Sequence, residues 1–187
     1  YPGETKINMK LLFDPVSKKI YGAQAVGKEG TDKRIDVIST AINLGGTIQD
    51  LTGLELCYAP PFSSAKDPVN MLGYIASNVA DGAYKVVHWD EIDEIVEKGG
   101  YLLDVRKPSE VEKGKIKGSV NIELDELRDR LDEIPIPREN PIYVTCQAGL
   151  RGYLAIKILK ANGFKNAYNL SGGYLTYQKA KYNWENV

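Results

Sequence analysis

The sequence predicts an α/β protein in two parts, an α+β unit over residues 1–82 followed by an α/β unit over residues 83–187. Two observations carry this prediction. The first part has two alternating apolar runs and then helical patterns, which is typical of a hairpin with helices. The second has continuous apolar runs separated by amphipathic segments, which is typical of a parallel sheet covered by helices on both faces. The change of pattern falls near Asp81-Gly82.

Composition excludes several classes of function. The 187-residue chain carries a net charge of −1, which argues against nucleic-acid or membrane-surface binding by bulk electrostatics. Two cysteines and one histidine argue against a disulfide framework and against a metal site, so no metal is expected. There is no apolar run of the length a membrane span needs, about 20 residues. A reducing compartment, the cytoplasm, is the expected location.

The first part begins with a predicted hairpin, formed by residues 7–13 and 19–27 around Asp14-Pro15. A helix follows, with Ile35, Ile38 and Ile42 on one face and Gly45-Gly46 at its end. Thr47 and Asp50 have the spacing of a capping box, which predicts a short helix through Leu51.

The remainder of this part is less regular. Residues 54–58 are compatible with a strand, and Cys57 within them is expected to be a core residue. Pro60 and Pro61 predict an irregular loop, since proline cannot donate to a ladder. Pro68 suits the first position of a last helix. The unit therefore offers an exposed loop suited to an interface.

In the second part, strands and helices are predicted to alternate. The strands are expected at residues 86–87, 101–105, 120–122, 142–145 and 167–170, and the helices at 90–98, 124–131, 152–162 and 174–182.

The chemistry centres on Cys146, which directly follows a predicted strand and precedes a helix. Sites in parallel sheets lie at the carboxyl ends of strands. A helix start and a neighbouring arginine favour a thiolate, the reactive form of cysteine. The candidate loop that surrounds this sulfur consists of Gln147, Ala148, Gly149, Leu150, Arg151 and Gly152. By residue type alone, Cys146 is also compatible with a buried structural cysteine.

Other residues support this site in the sequence. Asp104 and Arg106 follow another predicted strand and are expected to brace the loop through an ion pair. Arg151 is placed either toward the loop or outward, toward an anionic substrate. Gly172-Gly173 predicts a turn before the last helix, with the rim of the pocket as an alternative role.

The first part resembles the dimerisation domain of FAD-dependent pyridine nucleotide-disulfide oxidoreductases, with the coenzyme A-disulfide reductase and NADH oxidase branch most similar. The resemblance rests on residues 22–27, 32–36 and the string Tyr-Ala-Pro-Pro-Phe-Ser-Ser-Ala-Lys-Asp-Pro at 58–68. It implies a homodimer in which Tyr58 and Tyr1 reach the active site of the partner subunit. It also implies that the domains for FAD and NAD(P)H lie upstream, so that this chain by itself binds no cofactor.

The second part resembles the rhodanese family of sulfurtransferases. The resemblance rests on residues 103–106 with Glu110, residues 114–119, the Cys-x-x-Gly-x-Arg pattern of the Cys146 loop, and residues 169–174. It implies a Cys146 persulfide that takes sulfur from a sulfane donor and passes it to a thiol acceptor, with coenzyme A as a candidate carrier. Lys115 and Gly152 depart from the residues frequent in that family.

Two other interpretations remain open. Dual-specificity phosphatases also use a Cys…Arg loop, but commonly with one residue more than the four between Cys146 and Arg151. The chain is alternatively a non-catalytic dimerisation and interaction module of an NADH oxidase-like flavoprotein.

Overall fold

The computed structural model describes residues 3–182, which form two compact units with a boundary between Ala83 and Tyr84. Within residues 3–182, no helix has both the length and the apolar character needed to cross a membrane.

The first unit opens with the predicted hairpin. Strands β1 (Ile7–Phe13) and β2 (Ile20–Gly27) pair antiparallel, with Ile7 opposite Gly27. The Asp14 carboxylate accepts hydrogen bonds from the N–H groups of Val16 (2.7 Å) and Ser17 (2.9 Å). These local bonds form the turn, because an aspartate side chain can take the place of a backbone acceptor.

Three helices cover the hairpin: α1 (Thr31–Asn43), α2 (Ile48–Thr52) and α3 (Pro68–Ala80). The capping box is confirmed, since the Thr47 N–H donates to the Asp50 carboxylate at 2.6 Å. Pro68 is the first residue of α3, as predicted, and Asp67 caps that helix through the Val69 N–H. The buried core between hairpin and helices consists of Ile20, Ile38, Ile48, Leu51, Val69 and Ala76.

The prediction of a strand at residues 54–58 is wrong, and so is the prediction that Cys57 lies in the core. The segment is irregular, and its Leu54 carbonyl accepts a hydrogen bond from the Asn70 side chain (2.9 Å) instead of a strand. Leu54 and Leu56 pack on the core, whereas Cys57 is exposed. Successive side chains of an extended segment point to opposite sides, so the residue after Leu56 is directed to solvent.

The second unit is built on a five-stranded parallel sheet flanked by helices, as predicted. Its strands are β3 (Lys85–Val87), β4 (Tyr101–Asp104), β5 (Val120–Asn121), β6 (Ile142–Thr145) and β7 (Ala167–Leu170). Their order is β3-β7-β6-β4-β5, with every pairing parallel. Asp104 lies opposite Thr145, so the ends of β4 and β6 are level.

The helices of this unit are α4 (Ile92–Glu97), α5 (Pro108–Val111), α6 (Leu150–Ala161) and α7 (Gly173–Ala180). The short helix α5 is not predicted by the sequence pattern. The predicted helix at residues 124–131 is wrong: these residues form successive turns, followed by a 3₁₀ turn at Leu131–Glu133. Within the turns only Leu127 is fully buried, and a single apolar anchor gives a regular helix little to pack against.

Candidate functional site

Cys146 lies at the carboxyl edge of the sheet, directly after β6. Its side chain is 1% exposed, and the Gly149 N–H donates to its Sγ at 3.1 Å. Burial would disfavour a charged sulfur unless the surrounding groups compensate for the lost water. The amide of Gly149 is one such group, because it stabilises negative charge on the sulfur.

The loop after Cys146 is short because Gly149 turns the chain sharply. Gly149 has φ +120° and is the residue before α6, which begins at Leu150, two positions earlier than predicted. The N–H groups of the first helical turn have no acceptor inside the helix and carry partial positive charge. These N–H groups belong to Leu150, Arg151 and Gly152, which follow Cys146 by four to six positions in the sequence.

The start of α7 holds the same loop from another side. The Tyr174 N–H donates to the Cys146 carbonyl (2.8 Å), and the Leu175 N–H donates to the Gln147 carbonyl (3.1 Å). Because N–H and C=O are antiparallel across a trans peptide, the N–H groups of Gln147 and Ala148, which share peptides with these carbonyls, point away from the α7 donors. These two bonds therefore orient the loop amides.

Close packing between α7 and the loop requires glycine at position 173. Gly173 has φ +59°, and a Cβ there would lie 2.4 Å from the Cys146 carbonyl oxygen. Gly172, at φ +71°, immediately precedes α7, which confirms the predicted turn. From the sequence, a role of Gly172-Gly173 at the rim of the pocket is only the alternative to the turn.

Asp104 and Arg106 form a buried ion pair beside the loop. Asp104 is fully buried and Arg106 is 1% exposed, and Arg106 donates through Nε (3.0 Å) and Nη2 (2.7 Å) to the two carboxylate oxygens. The guanidinium also donates to the Gly114 carbonyl (2.9 Å) and to Gln147 Oε1 (3.4 Å). Its carbon lies 4.1 Å from the centre of the Tyr174 ring. Arg106 thus contacts both the loop and α7.

Arg151 is engaged by a carboxylate. Its Nη1 and Nη2 donate to the two oxygens of Glu110 at 2.6 and 2.7 Å, a two-point pairing between α6 and α5. This hydrogen bonding lowers the pKa of Glu110 to about 2. The sequence is compatible with two orientations of Arg151, toward the loop or toward an anionic substrate. In the structure its partner is Glu110, 41 residues away in the sequence.

Asn169 and Gly152 complete the packing of the loop. The Asn169 side-chain N–H donates to the Gly149 carbonyl at 3.1 Å. A Cβ on Gly152 would lie 2.2 Å from Asn169 Oδ1, so the glycine admits this side chain. The sequence pattern includes Asn169 and Glu110 without indicating these contacts.

The remaining candidate residues are distributed as follows. Ala148 is exposed and Leu150 is 65% exposed, so both lie on the outer side of the loop. Tyr58 belongs to the first unit and is 53% exposed. Tyr1 lies outside the described residues. Among residues 3–182 there is no group of three or more His, Cys, Asp or Glu side chains arranged to hold a metal ion.

Together, fold and site define an α/β domain with a buried cysteine at the carboxyl edge of its parallel sheet, preceded by a separate α+β unit. Residues 88–180 match the family of the rhodanese-like domain, and residues 1–69 match the dimerisation domain of the pyridine nucleotide-disulphide oxidoreductases. The chain therefore belongs to these two families, with a dimerisation domain followed by a rhodanese-like domain.

Several known proteins are similar to this chain. The reduced CoADR-RHD of Bacillus anthracis shares 56% identity with a TM-score of 0.91, and the match covers 95% of this chain and 31% of that one. An NAD-dependent persulfide reductase from A. fulgidus shares 41% identity with a TM-score of 0.83, over the same shares. A coenzyme A disulfide reductase of Staphylococcus epidermidis is 47% identical over 76 residues, 41% of this chain. The match spans 17% of the length of that relative.

Proposed function

We propose that this chain transfers sulfur through a persulfide on Cys146. The observation that carries the proposal is the position of Sγ, buried at the end of β6 and 3.1 Å from the Gly149 N–H. Amide groups of the loop and of the start of α6 offer hydrogen bonds to a terminal sulfur anion. Such a cradle stabilises negative charge without a second titrating group.

The chemistry consists of two displacements at sulfur. The Cys146 thiolate attacks the outer sulfur of a sulfane donor such as thiosulfate, the donor S–S bond breaks, and sulfite leaves with the electron pair. An acceptor such as cyanide or a thiolate then attacks the terminal sulfur of the persulfide. The Cys146–sulfur bond breaks, and the thiolate is regenerated. Gln147, Ala148, Gly149, Leu150, Arg151 and Gly152 form the loop that surrounds the transferred atom.

The state of Arg151 favours sulfur over phosphate. A tetrahedral phosphate is commonly held by a two-point contact with arginine. In this chain both Nη atoms of Arg151 are bound by Glu110. The loop, with four residues between Cys146 and Arg151, is also shorter than the loop common in dual-specificity phosphatases.

Asp104 and Arg106 have a bracing role in this proposal. Neither is exposed, and the hydrogen bond from Arg106 to Gln147 connects the ion pair to the loop. The pair therefore keeps the loop amides in place for the sulfur anion.

The proposed context is a flavin-dependent NAD(P)H reductase for coenzyme A disulfide, persulfide or polysulfide. Support comes from the similarity to a coenzyme A disulfide reductase and to an NAD-dependent persulfide reductase. The sequence contains no G-x-G-x-x-G turn for a dinucleotide, so FAD and NAD(P)H, which would supply electrons, are assigned to other domains. In this context Cys146 would pass sulfur to the flavin-side site, with coenzyme A as the carrier. A cytoplasmic location suits its free thiols.

Replacing Cys146 with Ser tests the transfer. With thiosulfate and cyanide as substrates, we expect thiocyanate formation to fall by at least about 1,000-fold, because serine forms no persulfide. Mass spectrometry of the wild-type chain after incubation with thiosulfate should show the addition of one sulfur atom at Cys146.

The matched control is Cys57→Ser, which removes the exposed cysteine. It should leave both the rate and the added mass unchanged. Full activity in Cys146→Ser, or an added sulfur found only on Cys57, would show that Cys146 is not the carrier.

The second candidate function is pairing of two subunits through the first unit. It is favoured by large apolar side chains left exposed there, among them Val16 (89%), Phe62 (82%) and Val26 (71%). In the full-length reductase, Tyr58 and Tyr1 would then reach the partner's active site. Sedimentation of the chain should show a dimer, and a monomer at micromolar concentration would contradict this proposal.

Coupling between the two activities has its own test. Full-length protein and a form without the rhodanese-like domain would be compared in NADH-driven reduction of a coenzyme A persulfide. Equal turnover would exclude a role for Cys146 in that reaction.

A further inference from the structure

The pairing of Glu110 with Arg151 joins α5 to the start of α6, the helix that follows the Cys146 loop. Arg151 is in the first turn of α6, five residues after Cys146. The pairing has two-point geometry, and both side chains are a little under one third exposed. Arg151 therefore belongs to the loop that follows the thiol, and both of its Nη atoms are already bound by Glu110.

Glu110 is also fixed from its own side. Its carboxylate accepts the Lys107 N–H at 3.0 Å, in the capping box of α5. Because Arg151 holds the pKa of Glu110 near 2, this side chain is a carboxylate at any working pH. The hydrogen bonds that Arg151 donates to Glu110 in turn raise the pKa of Arg151, and the negative charge of Glu110 adds to the effect. The guanidinium is thus charged and is neutralised by its carboxylate partner.

We propose that Glu110 is a positioning residue that determines which sulfur donors Cys146 accepts. It holds Arg151 and cancels its charge, so that the site gives a doubly charged donor no advantage over a donor with less charge. This inference rests on the proposed sulfur transfer and deepens it: donors that carry sulfane sulfur on a group of low charge, such as an organic persulfide, are accepted without an electrostatic disadvantage relative to thiosulfate.

Two donors isolate the effect of charge. Thiosulfate is a dianion, and methanethiosulfonate is a monoanion with the same sulfonyl-linked sulfur. In both cases the thiolate attacks the outer sulfur and the S–S bond breaks. The leaving group, sulfite or methanesulfinate, takes the electron pair. The chemical step is therefore matched, while the charge of the donor differs.

Glu110→Gln is the first test, with steady-state kinetics at low ionic strength and cyanide as the common acceptor. Releasing the charge of Arg151 should lower KM for thiosulfate about tenfold and KM for methanethiosulfonate about threefold, since the electrostatic free energy scales with donor charge. The value of kcat should change less than about twofold, because the cradle around Sγ is retained. An equal change for both donors, or no change, would overturn the proposal.

The matched control is Glu112→Gln, which removes the same charge from an exposed residue at the end of α5. It should alter neither KM by more than about twofold, since it lies outside the ion pair. If Glu112→Gln lowered KM for the two donors as much as Glu110→Gln does, the result would follow from net charge alone, which would contradict the proposal.

The double variant Glu110→Gln/Arg151→Gln provides a test that does not depend on the single variant folding. It also removes the positive charge that Glu110→Gln releases, so the lowering of KM for thiosulfate should be lost. A tenfold rise would mean that Arg151 binds the donor directly, which would overturn the proposal. If the wild-type chain transfers sulfur from neither donor, the proposed function fails, and this inference with it.

Discussion

Each unit of the chain has a loop that is held by an arginine–aspartate ion pair, and the two pairs differ in their exposure to solvent. In the first unit, Arg34 is 11% exposed and Asp67 is 3% exposed. In the second, Arg106 and Asp104 are 1% and 0% exposed. Removing one partner of a fully buried pair leaves an uncompensated charge, whereas a partly exposed partner can regain water. The two loops should therefore differ in sensitivity to substitution.

The neighbours of the two pairs differ as well. Arg34 contacts Asp67 (3.0 Å) and Ser63 (3.3 Å), which holds the proline-containing loop against α1. Arg106 contacts Asp104, the Gly114 carbonyl, Gln147 and the Tyr174 ring. The first pair fixes the start of helix α3, and the second connects four segments around the thiol of Cys146.

Arg106→Leu should have the largest effect. It leaves Asp104 buried without its partner, so we expect a loss of about 3–5 kcal/mol in the free energy of unfolding of the second unit. Urea denaturation followed by circular dichroism measures it. Arg128→Leu, at an exposed arginine of the same unit, should cost less than about 0.5 kcal/mol. Equal losses for the two variants would remove the contrast between buried and exposed arginines.

Asp67→Asn should have a smaller effect in the first unit. The amide oxygen can still accept the Val69 N–H as a helix cap, while the charge that pairs with Arg34 is lost. Arg34 keeps partial access to water, so the expected loss is about 1–2 kcal/mol. A loss as large as that of Arg106→Leu would show that exposure of the partner does not decide the cost.

The smallest predicted effect is a dependence on pH in the first unit. Burial tends to raise the pKa of Asp67, but the Val69 N–H, Arg34 and Ser63 outweigh it and lower the pKa below its usual 3.8. The carboxylate therefore adds stability above pH 3.8, and this stability is lost as pH falls through the lower value. The difference in unfolding free energy between wild type and Asp67→Asn should be constant from pH 5 to 7, within about 0.3 kcal/mol, and should shrink below pH 4. A difference that grows on acidification would reverse the assigned sign.

The sequence pattern predicts the sheet of the second unit well because its strands are continuous apolar runs such as Ile142–Thr145. It fails where a pattern is weak or ambiguous. The apolar residues at 54 and 56 suit a strand equally well as an irregular segment, and only the missing partner strand decides. Residues 124–131 contain three leucines at helical spacing, Leu124, Leu127 and Leu131, but only Leu127 is fully buried.

Within the candidate site, the position of Cys146 after a strand could be predicted, since strand ends and helix starts leave local signals. The partner of Arg151 could not, because Glu110 is 41 residues away and short-range patterns carry no information on such a contact. The bonds from α7 to the loop carbonyls are equally non-local. Local sequence signals thus predict where Cys146 lies in the fold, whereas the residues that contact its loop are determined by tertiary packing.

The hydrogen bonds from α7 to the Cys146 loop also bear on how the site is assembled during synthesis. The carbonyls of Cys146 and Gln147 accept hydrogen bonds from the N–H groups of Tyr174 and Leu175, which follow them by 28 residues. In the same unit, the first strand, β3, pairs with the last strand, β7. Contacts so distant in sequence form late, and a nascent chain presents its amino-terminal portion first. The thiol of Cys146 would therefore emerge from the ribosome before α7 is present to orient its loop. In that interval, a reducing environment would have to protect it from electrophiles and oxidants.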